Sequence, residues 1–265
     1  MMEKMIFGRY VPAHSLIHRM DPRSKLIIIF LFVCIVFIAN NSLTYGALVI
    51  YTFLMISLSK VPFRFIYTGL KPILWLVLFT LLLHLFLTKE GEILFQAGWL
   101  TIYEEGLRQG AFIAMRFFLL ILMTSILTLT TTPIEITDGL ESLLDPLNKV
   151  KFPVHELALM MSISLRFIPT LMQETDKIMK AQTARGVDFT SGPIKERVKA
   201  IIPLLIPLFV SSFKRAEELA TAMEARGYRG GEGRTKYRQL SWGLNDTGML
   251  VLLGILTLVL ILLRS

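Results

Sequence analysis

LRQGAFIAMRFFLLILMTSILTLTT, residues 107–131, is an apolar run whose only charges are Arg108 and Arg116. Roughly 20 mainly apolar residues suffice to cross the hydrocarbon core of a bilayer as a helix. This run meets that length, so the chain is read as membrane-spanning. The rest of the sequence agrees: 54% of residues are hydrophobic and the mean hydropathy is +0.60, too apolar for an ordinary soluble domain. Similar blocks lie at 25–40 with its flanks, 42–59, 70–88 and 248–263. The expected fold is therefore all-α, with about five transmembrane helices.

Basic residues in short loops mark the cytoplasmic side. Lys4, Arg9, Arg19, Arg23 and Lys25 precede the first span, whereas Asn40-Asn41 after it carries no charge. This predicts a cytoplasmic N-terminus. Lys60, Arg64 and Lys71 mark the next loop as inside, and Glu90, Glu92, Glu104 and Glu105 outweigh Lys89 and Arg108 in the one after. The expected organisation is a membrane domain at 1–132, a cytoplasmic helical region at 133–247 and a last span at 248–265. The net charge of +8 follows from this topology and calls for no nucleic-acid partner. Residues 1–10 lack the apolar core of a removable signal. Cys34, the single cysteine, falls inside the first span and is read as a packing residue, since no disulfide can form within the chain.

In the polar region, Thr132-Pro133 ends the fourth span and residues 134–149 read as a short helix. From Val154 to Arg185, Leu157, Met161, Leu165, Ile168, Met172 and Met179 recur at helical spacing, predicting a long amphipathic helix. A polar turn at 188–193 leads to a second helical stretch at 194–226. Pro203 and Pro207 interrupt its ten-residue apolar run at 201–210, which is too short to span and is expected to dip against the membrane domain. Gly230, Gly231 and Gly233 then suggest a flexible connector.

Each long helix ends on one hexapeptide pattern, Ala181-Gln182-Thr183-Ala184-Arg185-Gly186 and Ala222-Met223-Glu224-Ala225-Arg226-Gly227. Taken singly, each is an ordinary helix end: alanine favours helix, glycine accepts the left-handed conformation after the last turn, and arginine complements the negative end of the helix dipole. Recurrence with matched alanines points beyond punctuation. A planar guanidinium beside a ledge of small residues can enter a groove on another protein and meet a carboxylate there. Two copies suggest two partner sites.

Searches for catalytic chemistry are negative. Gly233-Arg234-Thr235-Lys236 lacks the spacing of a phosphate loop, His155-Glu156 is not followed by a second histidine at zinc-protease spacing, and no nucleophile elbow occurs. His14, His18 and Asp21 read as loop packing, and no metal, cofactor or catalytic residue is assigned. Among ionisable groups inside the spans, Arg116 is the clearest case, some two turns inside the fourth, and His84 sits near the outer end of the third. They leave open an alternative, a self-sufficient channel or secondary carrier, although Arg116 is expected to snorkel outward or pair with an outer-loop carboxylate. An intramembrane enzyme is disfavoured for want of a nucleophile and base.

The run His18-Arg19-Met20-Asp21-Pro22-Arg23-Ser24-Lys25, the segment Leu165-Arg166-Phe167-Ile168-Pro169 and the paired Ala-Arg-Gly tips together resemble the EcfT/CbiQ family, the transmembrane component of energy-coupling factor transporters. The resemblance runs from about Tyr10 to the last span; Met20 stands where the family commonly has leucine. It implies a non-catalytic scaffold in a prokaryotic cell membrane. Such a scaffold joins two cytosolic ABC-type ATPase subunits, a homo- or heterodimer, to a membrane-embedded substrate-binding S component that captures a vitamin or metal ion. By the same resemblance, Arg185 and Arg226 each dock on one ATPase subunit, with Ala184, Gly186, Ala225 and Gly227 permitting close approach.

Overall fold

A computed structural model describes residues 10–88, 90–97, 100–189, 193–230 and 239–264. Lys4, Arg9, Lys89, Gly231 and the segment 233–236, used above for topology and motif reading, lie outside them. The chain is an all-α polytopic membrane protein. Its elements are α1 (Pro22–Val36), α2 (Ser42–Ser59), α3 (Phe63–Leu87), a hairpin of β1 (Ile93–Ala97) and β2 (Leu100–Tyr103), α4 (Glu104–Thr130), α5 (Pro133–Leu144), a 3₁₀ turn (Asp145–Val150), α6 (Val154–Ala184), α7 (Ile194–Ala225) and α8 (Leu244–Leu263). They fall into two compact units. One comprises Gly8–Leu143 with Gln239–Ser265, and the other contains Leu144–Arg238.

In the first unit the helix starts are set by short polar side chains. Asp21 caps α1 by accepting from the Arg23 backbone N–H at 2.8 Å, with Pro22 in the first helical position where its missing N–H costs nothing. Asn41 and Thr44 cap α2 reciprocally. α4 packs on α1, α2 and α3, and α8 packs on α1 and α2. Their shared core includes Phe32, Leu48, Leu119, Met123, Leu253 and Leu260, each almost wholly buried. α3 and α4 approach closely through Gly106 and Gly110, one turn apart. A Cβ at Gly106 would sit 3.1 Å from the His84 and Thr88 carbonyl oxygens, and one at Gly110 would sit 3.2 Å from the His84 Cβ.

By length and apolarity α2, α4, α6 and α8 qualify as spans, and α3 joins them as a bent pair, Phe63–Lys71 and Ile73–Leu87, angled by 53° about Pro72. α1 has 15 residues, a rise of roughly 22 Å, and depends on its flanks to complete a crossing. α6 has the lowest mean hydropathy of the four, 1.2. Glu156, Arg166, Glu174, Asp176, Lys177 and Lys180 along its length make it an amphipathic rod.

Several expectations need correction. α3 starts at Phe63, not residue 70, because Arg64 and Lys71 depress the hydropathy of a turn that is nonetheless helical. α8 starts four residues before 248, as Asp246 completes its N-terminal turn by accepting from the Gly243 N–H at 2.7 Å. The β1–β2 hairpin was not foreseen. Cys34 is exposed on the surface of α1 and does not pack in the core.

Candidate functional site

α6 and α7 form the second unit. Gln182 of α6 donates to the Pro203 carbonyl of α7 at 3.3 Å. That carbonyl has no helical donor, because the residue four positions on is Pro207, which carries no N–H. Eight residues earlier on α6, Glu174 receives the Ser211 hydroxyl and the Arg215 guanidinium, the latter at 2.7 Å. As the α6 number rises the α7 number falls, so the two helices run antiparallel. Their C-termini consequently point in opposite directions. Gln182, beside the first tip, is level with Pro203, and the second tip lies roughly 35 Å further along α7 at the helical rise of 1.5 Å per residue.

The two tips share one backbone geometry. In the first, Gly186 has φ of 90°, its N–H donates to Thr183 O at 3.0 Å, and Val187 N–H donates to Gln182 O at 3.0 Å. The second repeats this: Gly227 has φ of 76°, its N–H donates to Glu224 O at 2.9 Å, and Tyr228 N–H donates to Met223 O at 3.0 Å. This is the Schellman closure, in which the residue after the cap turns left-handed so that two otherwise orphaned carbonyls are satisfied. Nothing lies within 4 Å of a Cβ built on either glycine. Both glycines are therefore demanded by backbone conformation, and the space beside them is open.

Ala184, Arg185, Gly186, Ala225, Arg226 and Gly227 are all exposed. Neither guanidinium has an ion pair or side-chain hydrogen bond among the described residues. Among the described residues both tip arginines are thus unpaired, each at the end of a closed helix. Beside the second tip, Leu159, Ile163 and Arg166 of α6 face Met223, Arg226 and Arg229 across an open groove of about 600 Å³.

Within the apolar run at 201–210, Ile206, Phe209 and Val210 are exposed, and Phe213 beyond them is 73% exposed. The apolar side of α6 is likewise open at Leu157 and Met161; Val154 and Ala158 are its buried positions.

The intramembrane ionisable groups take other roles. Arg116 donates to the Ala39 carbonyl at 3.4 Å and lies 5.0 Å from the centre of the Phe37 ring, and it has no ion pair with an outer-loop carboxylate among the described residues. His84 packs by its Cβ at Gly110. His18 bonds through Nε2 to the Val11 carbonyl at 2.9 Å and through Nδ1 to the Ser15 hydroxyl at 2.7 Å, the loop packing expected of it. Burial holds its pKa below the ordinary value. No cluster of histidine, cysteine and carboxylate able to hold a metal occurs among the described residues.

Sequence reasoning missed a buried polar knot in the first unit. Asp246, 2% exposed, accepts the Asp21 backbone N–H at 2.9 Å and the Ser24 hydroxyl, joining α8 to the start of α1. Arg23 closes it by bonding Asp21 at 2.9 Å, Leu240 O at 3.3 Å and Ser142 at 3.4 Å. Asp21-Pro22-Arg23-Ser24-Lys25 was noticed as a family signature; no periodicity announced its partner more than 200 residues away.

Comparison with known proteins places this architecture. A family model described as cobalt transport protein, CbiQ, matches residues 13–237. The energy-coupling factor transporter transmembrane protein EcfT of Bacillus subtilis is 69% identical over 265 residues, the whole of both chains. Its namesake from Listeria innocua is 59% identical over the same full lengths. That from Streptococcus equi is 52% identical over all of this chain and 98% of its own.

Proposed function

This chain belongs to the CbiQ family and is the non-catalytic transmembrane component of an energy-coupling factor transporter, and from that premise we propose that its two arginine tips each dock on one of two cytosolic ABC-type ATPase subunits. ATP-driven movement of those subunits shifts the tips, and α6 and α7 carry the movement to a membrane-embedded S component that holds a vitamin or metal ion. The chain resides in the cell membrane with its N-terminus in the cytoplasm.

The observation that carries this reading is the duplicated, exposed and unpaired guanidinium on an identical Schellman frame. A solitary cap needs no twin. An arginine kept free of its own chain's carboxylates is ready to meet a partner's, and rigid presentation lowers the entropy cost of doing so. The uncovered apolar stripe on α7, through Ile202, Leu205, Phe209 and Phe213, supports a second, apolar partner such as the S component.

Combining Arg185→Glu with Arg226→Glu tests the reading. Truncating one member of a desolvated charge pair costs about 2–5 kcal/mol, and reversal adds repulsion. Copurification of the ATPases and ATP-dependent uptake are expected to be lost while membrane insertion persists. Normal ATPase recovery refutes the proposal.

A further inference from the structure

The tips share a backbone but not a charge pattern. Three residues past each arginine the first tip carries Asp188 and the second carries Arg229, so matched positions on matched frames bear opposite signs. The second tip also borrows a cation from its neighbour. Arg166 of α6 lines the groove that Arg226 and Arg229 border, and the lining contains no carboxylate. All three guanidiniums are exposed and have no ion pair among the described residues. Beneath them the groove is floored by Leu159, Ile163, Leu219 and Met223. Three unopposed cations around an apolar floor complement an acidic segment with an apolar face; a cationic surface is repelled.

Resting on the docking role proposed above, we infer that Arg229 and Arg166 are specificity determinants of the second tip, selecting an acidic, apolar-faced segment of the ATPase subunit seated there. The shared Arg-Gly element supplies attachment, and the flanking charges decide which surface attaches where.

The test uses the full-length chain in two backgrounds that isolate one tip each: Arg185→Glu leaves the second working, and Arg226→Glu leaves the first. Capture of purified ATPase subunits is measured in both against increasing salt. In the second-tip background, Arg229→Asp and Arg166→Glu are each expected to weaken capture about tenfold or more and to flatten its salt dependence. In the first-tip background neither change has an effect. Equal losses at both tips overturn the inference, as does unchanged capture by the second tip carrying Arg229→Asp and Arg166→Glu. If the losses appear instead in binding to phosphatidylglycerol vesicles, with ATPase capture intact, the groove serves a lipid head group and the inference is again overturned. Failure of the docking role itself is distinct: ATPase capture would then survive Arg185→Glu and Arg226→Glu together.

Discussion

Lys25 and Arg116 each reach the C-terminal end of the other's helix. Lys25, near the start of α1, donates from Nζ to the Thr130 carbonyl at 3.0 Å and the Thr131 hydroxyl at 3.2 Å, where α4 ends. Arg116 of α4 reaches the Ala39 carbonyl and the Phe37 ring, where α1 ends. Neither helix has a basic residue in its own last turn. The antiparallel pair thus exchanges cations: Lys25 meets the last carbonyl of α4, and Arg116 meets the Ala39 carbonyl just past the turn that closes α1, each near the negative end of the other helix's dipole, where charge facing lipid would be costly. This use of Arg116 removes the main support for a carrier path through it.

The exchange predicts an order of damage. Lys25 is 4% exposed and makes two bonds of normal length, so Lys25→Met should cost about 2–3 kcal/mol, the scale of hydrogen bonds to a charged group. Arg116→Met, giving up a longer bond and a ring contact, should cost less. Thermal unfolding of the detergent-solubilised protein checks the ranking, and a larger drop for Arg116→Met would contradict it.

Acid should weaken the start of the membrane unit in two stages. His18 sits below its ordinary pKa, chiefly because burial disfavours its charged form. The unfolded chain therefore takes up a proton first as pH falls past about 6.5, and the His18 contribution, full above that value, declines as pH drops through the folded pKa. Burial pushes the Asp21 carboxyl up, but hydrogen bonds from Arg23 and its charge outweigh that and hold it below the usual carboxylate range. Its contribution is full above about pH 4 and is lost below it. Melting temperature should decline as pH falls below about 6.5 and again below about 4. His18→Gln should flatten the first decline and Asp21→Asn the second.

Much of this was readable along the chain. Helices 154–185 and 194–226 were bounded to within a residue because Pro153 and Pro193 stand before their first turns and a glycine follows each last one. The spans announced themselves by composition. What failed was whatever depended on a distant partner. No local pattern pairs Gln182 with Pro203, and none joins Asp246 to its donors at the start of α1. Helical periodicity also overstated burial: the apolar stripes on α6 and α7 are real, yet Met161 and Phe209 remain uncovered within the chain. Periodicity identifies a face without saying whose surface covers it.

Gly186→Ala and Gly227→Ala should loosen the tips without disturbing the bundle. Space around each Cβ is open, so the penalty comes from the positive φ alone, about 1–2 kcal/mol per site. It falls on the last helical turn. Amide exchange is expected to quicken at Val187 and Tyr228, whose N–H groups close the two turns, and ATPase capture to drop modestly. Asparagine, which tolerates the left-handed region better, should retain more of both. Unchanged exchange in the alanine variants would show that the turns do not need the glycine.

The clamp between α6 and α7 predicts a coupling of defined sign. Pro207 removes the N–H that would serve the Pro203 carbonyl, and Gln182 replaces it from the other helix. Gln182→Leu alone strands that carbonyl and should destabilise the pair by about 1–2 kcal/mol. Pro207→Ala restores an internal donor, so Gln182→Leu in that background should cost clearly less. A double-mutant cycle on thermal unfolding would then give a favourable coupling near 1 kcal/mol between two residues whose side chains need not touch. Strict additivity would mean that Gln182 holds the first tip by packing and not by its hydrogen bond.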